Sequence, residues 1–178
     1  MDIRNNTLID YIDMLKSESL VPGGGTVTAL SGIIGMSLAI KVIKNESSSQ
    51  ANEIEEIRNT LMYIMEKDTV AYTKVADAYK ILDGYKKSIA LQTALKESTE
   101  IPLNIMMLTF LAIKVINKFQ EKNQISSPEQ KMLLSIAKNN LHAAIKGAYL
   151  YVNVNLNRIK DEDYSISLLQ KASDIVGW

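Results

Sequence analysis

Two places in this chain hold residues whose type is at odds with their surroundings. The first is Pro22-Gly23-Gly24-Gly25-Thr26, where a glycine triplet precedes a run that stays apolar all round as far as Ile43. Glycine has almost no steric limit on φ, so the triplet can turn the chain sharply and aim successive backbone N–H groups at one point. A helix that starts there presents unpaired N–H donors and partial positive charge, which attract carboxylates and phosphates. The stretch therefore predicts a carboxylate or phosphate held by the N–H groups of Gly23, Gly24, Gly25, Thr26 and Val27, with the Thr26 hydroxyl adding a bond. A plain loop leading into a core helix is the competing reading.

The second place is Asp68. Ile54, Ile57, Leu61, Ile64, Tyr72, Val75 and Tyr79 keep to three- and four-residue steps, and Asp68 fills the slot between Ile64 and Tyr72. A carboxylate on an apolar face is costly unless it is paired or hydrogen-bonded. It is either a structural aspartate bonded to a neighbouring tyrosine or lysine, or a proton-handling group whose pKa is lifted toward neutrality by burial beside Tyr72. A second stripe through Met65, Thr69, Tyr72 and Ala76 would turn Asp68 to its edge. Asn155 takes a comparable apolar slot late in the chain. His142, near Lys138, Lys146 and Tyr149, reads as solvent-facing. Glu53, Glu55 and Glu56 read as a solvated face, and the methionines as core fillers.

Positioning these groups falls to helices. Thr7 to Lys16 carries Leu8, Ile12 and Leu15 at helical spacing, with Thr7 or Asn6 as cap. A central helix follows from about Gly25 to Lys44, and its Ala29, Gly32, Gly35 and Ala39 let another helix approach closely. Asn45 to Ser49 ends it. A third helix runs from about Ala51 to Leu82, and Asp83-Gly84 signals a turn. A fourth starts near Tyr85 and is expected to kink at Pro102 rather than stop, because its periodicity resumes. Gln120 to Ser127 reads as a polar loop. Ser127-Pro128-Glu129-Gln130 is a capped start, with proline at the first helical position. That fifth helix should reach about Lys160, and Asp161-Glu162-Asp163 should turn into a last helix ending at Gly177. No stretch alternates with period two. The prediction is all-α: an antiparallel multi-helix bundle around a buried central helix, forming one domain over 1–178.

Composition bounds the function. Twenty basic residues cancel twenty acidic ones over 178 residues, so no long-range pull on nucleic acid or acidic membranes is expected, Lys86 and Lys87 being a local basic pair. The absence of cysteine excludes disulfides, thiolate zinc sites, iron–sulfur clusters and thiol nucleophiles, and a single histidine excludes a multi-histidine metal centre. The start lacks a signal-peptide core, so a cytoplasmic protein is expected. A membrane-spanning central helix is rejected because Thr28, Ser31, Ser37 and Lys41 lie within it, no second hydrophobic span follows, and the flanks lack aromatic and basic anchors. No helix carries an uninterrupted apolar outer face, which counts against a plain interaction protein.

Pro-Gly-Gly-Gly-Thr-Val-x-Ala-Leu-x-Gly-x-x-Gly, Pro22 to Gly35, resembles the N-terminal signature of the formiminotransferase-cyclodeaminase C-terminal family, which includes stand-alone methenyltetrahydrofolate cyclohydrolases. The resemblance continues through Asp68-x-x-Ala71-Tyr72-x-x-Val75-x-x-Ala78-Tyr79, Ala90-x-Gln92-x-Ala94-Leu95, Thr99-x-Ile101-Pro102-Leu103, Gly147-Ala148 and Val152-x-Val154-Asn155-Leu156. It implies hydrolysis or deaminative cyclisation of a one-carbon tetrahydrofolate. The folate is then the substrate and no cofactor is permanently bound. Asp68 would handle protons, Gly23, Gly24, Gly25, Thr26 and Tyr72 would contact the substrate, and Gln92 and Asn155 would hold the pterin or the water. A homodimer is also implied. Three departures stand against this pattern. Lys80-Ile81-Leu82 replaces the family's Leu-Pro-Lys, Met132-Leu133 stands where it keeps Ser-Asp, and Tyr151 stands where it keeps asparagine. A non-catalytic paralogue that binds a folate or another anionic small molecule is the alternative they leave open.

Overall fold

The computed structural model describes residues 7–18, 22–82, 84–123, 125 and 127–177. Asn6, the alternative first cap, and Asp83 of the predicted turn lie outside them. Six helices make up the described chain: α1 (Leu8–Leu15), α2 (Gly24–Ile43), α3 (Ser48–Lys80), α4 (Tyr85–Lys122), α5 (Pro128–Leu156) and α6 (Glu162–Val176). The described residues contain no strand. Helices α2 to α5 are long and joined by short connections, which forces sequential neighbours to run antiparallel.

The caps follow their predicted chemistry. The Thr7 hydroxyl accepts from Asp10 N at 3.1 Å while the Asp10 carboxylate accepts from Thr7 N at 3.0 Å. Ser127 accepts from Gln130 N with Pro128 in the first turn, and Asp161 accepts from Tyr164 N at 3.1 Å. Helix ends moved by a few residues. α3 starts at Ser48, and α4 extends into the predicted polar loop as far as Lys122. α5 stops at Leu156 rather than Lys160 because Gln92 Oε1 takes the Lys160 N–H at 2.7 Å, which removes it from a helical ladder.

α2 packs chiefly on α5 and α3 and touches α4. Ala29, Met36, Ala39 and Ile43 are wholly buried. A Cβ at Gly35 would sit 2.8 Å from the Ala137 backbone carbonyl of α5, and one at Gly32 would sit 2.8 Å from Leu61 of α3. The small-residue spacing therefore does set close helix approach. The polar residues inside α2 satisfy themselves locally, with Thr28, Ser31 and Ser37 each donating to the carbonyl four residues back. Burial of α2 is incomplete, however, since Val27 and Ile34 open to the outside along one stripe.

Two sequence expectations need correction. The second half of α4 is a second helix long and apolar enough to cross a membrane, so the claim that no such span follows α2 does not hold. In this fold Ile105, Met106, Ile113, Ile116 and Phe119 of that half are core, while Met107 and Leu111 are exposed. Apolar residues do cluster outward on α1, where Leu8, Ile9 and Ile12 are more than half exposed and only Tyr11 turns inward.

Candidate functional site

The site lies where the first turn of α2 faces α3 and the C-terminal half of α5. On α3, Asp68, Thr69, Tyr72, Val75, Ala76 and Tyr79 share one face and wall a cavity of about 510 Å³. Gly23, Gly24 and Gly25 close one side, Ser98 and Pro102 of α4 contribute another, and Ala148, Tyr151 and Asn155 of α5 complete it. This volume suits a ligand of a few hundred daltons.

Asp68 reaches the start of α2. The Thr26 hydroxyl donates to Asp68 Oδ2 at 3.4 Å and accepts from Gly23 N at 3.2 Å. Burial pushes the Asp68 pKa up, and the hydrogen bonds from the Thr26 side chain and backbone pull it back only in part. The positive end of α2, predicted to hold a ligand anion, therefore holds the chain's own carboxylate. The sequence does not disclose this pairing, because Thr26 and Asp68 are 42 residues apart.

The glycines serve closeness rather than unusual backbone. No described residue has positive φ except Gly84, which is not among the cavity walls; Gly23 is extended and Gly24 and Gly25 are already helical. A Cβ on Gly25 would lie 2.7 Å from Asp68 Oδ2, and one on Gly24 would lie 2.1 Å from the Tyr151 hydroxyl. Thr26, 1% exposed, shapes the site from behind and does not line the cavity.

Asn155 lines the cavity for a reason legible only in three dimensions. Pro102 has no N–H, so the carbonyl four residues earlier, Ser98 O, loses its helical partner. Asn155 Nδ2 points at that carbonyl at 3.5 Å. Gln92 is different. Its Nε2 donates to Arg158 O at 3.1 Å and its Oε1 accepts from Lys160 N, and it is not among the cavity walls. The expected substrate contact is thus a clamp on the segment after α5. Tyr72 lines the cavity with 42% of its surface open.

Three groups were not singled out from the sequence. The Thr69 hydroxyl is buried in the wall beside Asp68 with no partner among the described residues. Tyr11 of α1 is buried, its hydroxyl without a partner among the described residues; burial and then the Asp68 charge raise its pKa. Arg158 stands at the cavity edge and donates to the Tyr79 hydroxyl at 2.7 Å. A lone arginine in a turn carries no sequence signal of this kind. His142 is exposed, as read. Met132 and Leu133, where the family pattern keeps Ser-Asp, do not line the cavity: Met132 precedes Ala148 by sixteen residues of the same helix, about 24 Å of axial rise.

A bundle with one half-buried carboxylate at a helix start, facing a cavity, defines a class of small-molecule enzyme or binding protein rather than a scaffold. The family model described as formiminotransferase-cyclodeaminase matches residues 7–174, and the chain belongs to that family. It is 25% identical to a methenyltetrahydrofolate cyclohydrolase of Methylorubrum extorquens, over 97% of this chain and 89% of that protein. It is 24% identical to formimidoyltransferase-cyclodeaminases of Gallus gallus and Dictyostelium discoideum, over 93% of this chain, and spans 33% of each of those longer proteins. In fold it matches the crystal structure of formiminotetrahydrofolate cyclodeaminase from Thermotoga maritima with a TM-score of 0.85 over 99% of this chain and 91% of that one, at 23% identity.

Proposed function

We propose that this chain is a folate one-carbon enzyme that hydrolyses or forms the methenyl bridge of a tetrahydrofolate, with Asp68 moving the proton. The observation that carries this reading is the position of Asp68, the single carboxylate among the described cavity walls, held at the start of α2 by Thr26 and desolvated enough that its pKa is pushed up. A carboxylate that is harder to ionise than a free one is suited to accept a proton and hand it on. Membership of a family that holds both activities supports it.

In hydrolysis, water oxygen bonds to the bridging carbon as one of its protons passes to the Asp68 carboxylate. The bond from that carbon to the pterin ring nitrogen then breaks, its electron pair staying on nitrogen. A formyl group remains on the anilino nitrogen. The methenyl bridge is cationic, so one proton of the water ends on the ring nitrogen and the other in solvent. In deamination, the anilino nitrogen attacks the carbon of the formimino group in its protonated, amidinium form, and the anilino proton is relayed through Asp68 to the leaving nitrogen, which then carries three hydrogens. The carbon–nitrogen bond then breaks and ammonia departs. Both substrates carry an electrophilic carbon between two nitrogens, so positioning and proton transfer supply the catalysis. Asn155 is placed to orient the pterin or the water.

An absorbance assay with methenyl- and formimino-tetrahydrofolate tests this reading. Conversion of either supports it; binding of both without conversion of either selects the non-catalytic paralogue. The Met132 site, lying about 24 Å along α5 from Ala148, is no loss to this cavity within one protomer, which favours the catalytic reading.

The same proposal takes the working form as a cytoplasmic homodimer with no nucleic-acid or membrane partner. Val27 and Ile34 on α2 and Leu8, Ile9 and Ile12 on α1 are apolar and open, and a second copy would cover them. A monomer mass in sedimentation at micromolar protein would reject the dimer.

A further inference from the structure

Because Asp68 already occupies the positive end of α2, a carboxylate on the substrate needs a different partner. We propose that Arg158 binds the carboxylate-bearing tail of the substrate, held for that purpose by Tyr79 and Gln92. The inference rests on the folate reading above and assigns the far end of the same cavity.

Arg158 is the single cationic side chain among the described cavity walls. No described carboxylate lies within ion-pair distance of it, although the chain has 20 acidic residues. One guanidinium N–H goes to the Tyr79 hydroxyl, and the group stacks 5.6 Å from the centre of the Tyr79 ring. The remaining donors keep the fork that binds a carboxylate through two parallel bonds. The backbone beneath it is fixed on both sides. Gln92 holds Arg158 O and Lys160 N, and Lys96 Nζ pairs with Asp161 at 2.6 Å. A rigid mount of this kind lowers the entropy lost when the ligand docks.

Placement along α3 agrees. Asp68 and Tyr79 are eleven residues apart on one helix, about 16 Å of axial rise. The wall between them is apolar and aromatic, through Tyr72, Val75 and Ala76. A substrate whose reacting carbon sits at Asp68 and whose other end carries carboxylates beyond an aromatic spacer spans that cavity in one orientation. Reversing it would set the substrate's carboxylates against Asp68.

The test compares tetrahydrofolate with tetrahydropteroate, which keeps the pterin and the aminobenzoyl group and lacks the glutamate. Wild-type protein should bind tetrahydrofolate about tenfold more tightly at low salt, as expected for a charge-assisted pair, and lose that preference as salt is raised. Arg158→Gln should erase the preference while leaving tetrahydropteroate affinity unchanged. Tyr79→Phe, which keeps the ring and drops the hydroxyl, should weaken tetrahydrofolate alone by a smaller factor. Equal wild-type affinity for both ligands would overturn the tail site and leave the folate reading standing, as would an equal loss on both from Arg158→Gln. A wild type that binds neither would overturn both.

Discussion

The Thr26 hydroxyl and the Asp68 carboxylate meet at 3.4 Å, joining the first turn of α2 to the middle of α3. That contact gives Asp68 its partial stabilisation as an anion, while burial on the same side opposes ionisation more strongly. The balance leaves a carboxylate that still titrates in contact with the cavity, which is the property the proposed chemistry uses.

Asp68→Asn keeps the shape and removes the exchangeable proton. Loss of a general acid–base group typically costs about a hundredfold to ten-thousandfold in rate. The variant should lose most turnover in the absorbance assay and keep folate affinity within a few fold. Normal turnover would make Asp68 structural and place the chemistry elsewhere.

The raised pKa of Asp68 also fixes a pH dependence. The folded state holds the proton more tightly than the unfolded state, so the ionised form destabilises the fold. Stability linked to this group is highest in acid. It falls as pH rises from the ordinary carboxylate range through the raised folded value. At neutral pH, Asp68→Asn should therefore melt higher than wild type, and the gain should vanish toward acid. The acidic limb of kcat/KM for the wild type should likewise sit above the range of a free aspartate. A variant less stable than wild type at pH 7 would contradict the sign.

Gly24 and Gly25 make separable predictions. The Gly24 Cβ would strike the Tyr151 hydroxyl at 2.1 Å, a side chain 39% open and able to swing away. Gly24→Ala should therefore cost little once Tyr151→Ala is combined with it. The Gly25 Cβ would press on the Asp68 carboxylate, and Gly25→Ala should lower activity without rescue from Tyr151→Ala. Equal rescue of both would show that the glycines act only through general packing.

Gly35→Ala tests the α2–α5 approach. Its Cβ would lie 2.8 Å from a backbone carbonyl, which cannot rotate aside. Overpacking of this kind costs about 1–3 kcal/mol, and a thermal melt should show it with no change in ligand affinity per folded molecule.

Gln92→Ala should act on the turn after α5. Both amide atoms hold backbone groups of Arg158 and Lys160, so the variant should lose roughly 1–2 kcal/mol of stability. Hydrogen exchange at Lys160 should rise while the Asp68 pH profile stays where it was. An unchanged Lys160 exchange rate would show that the clamp is not made in solution.

The sequence by itself determined the helices, their caps, the close-approach spacing of α2 and the family, and it singled out Gly23–Gly25 and Asp68, which the fold brings together in one cavity wall. Those features follow from local rules: helical periodicity, side-chain capping and the steric needs of one residue type. What the tertiary structure alone decided is which groups face one another. Gly24 and Gly25 are needed for Tyr151 and Asp68, not for a backbone turn. Asn155 points at the carbonyl that Pro102 strands, and Gln92 holds backbone where a ligand contact was expected. Arg158 gains a place at the cavity only because α3 carries Tyr79 to it across 79 residues. Such pairings are set by how four long helices register against each other, and each depends on the summed packing of the whole core rather than on the residues that meet.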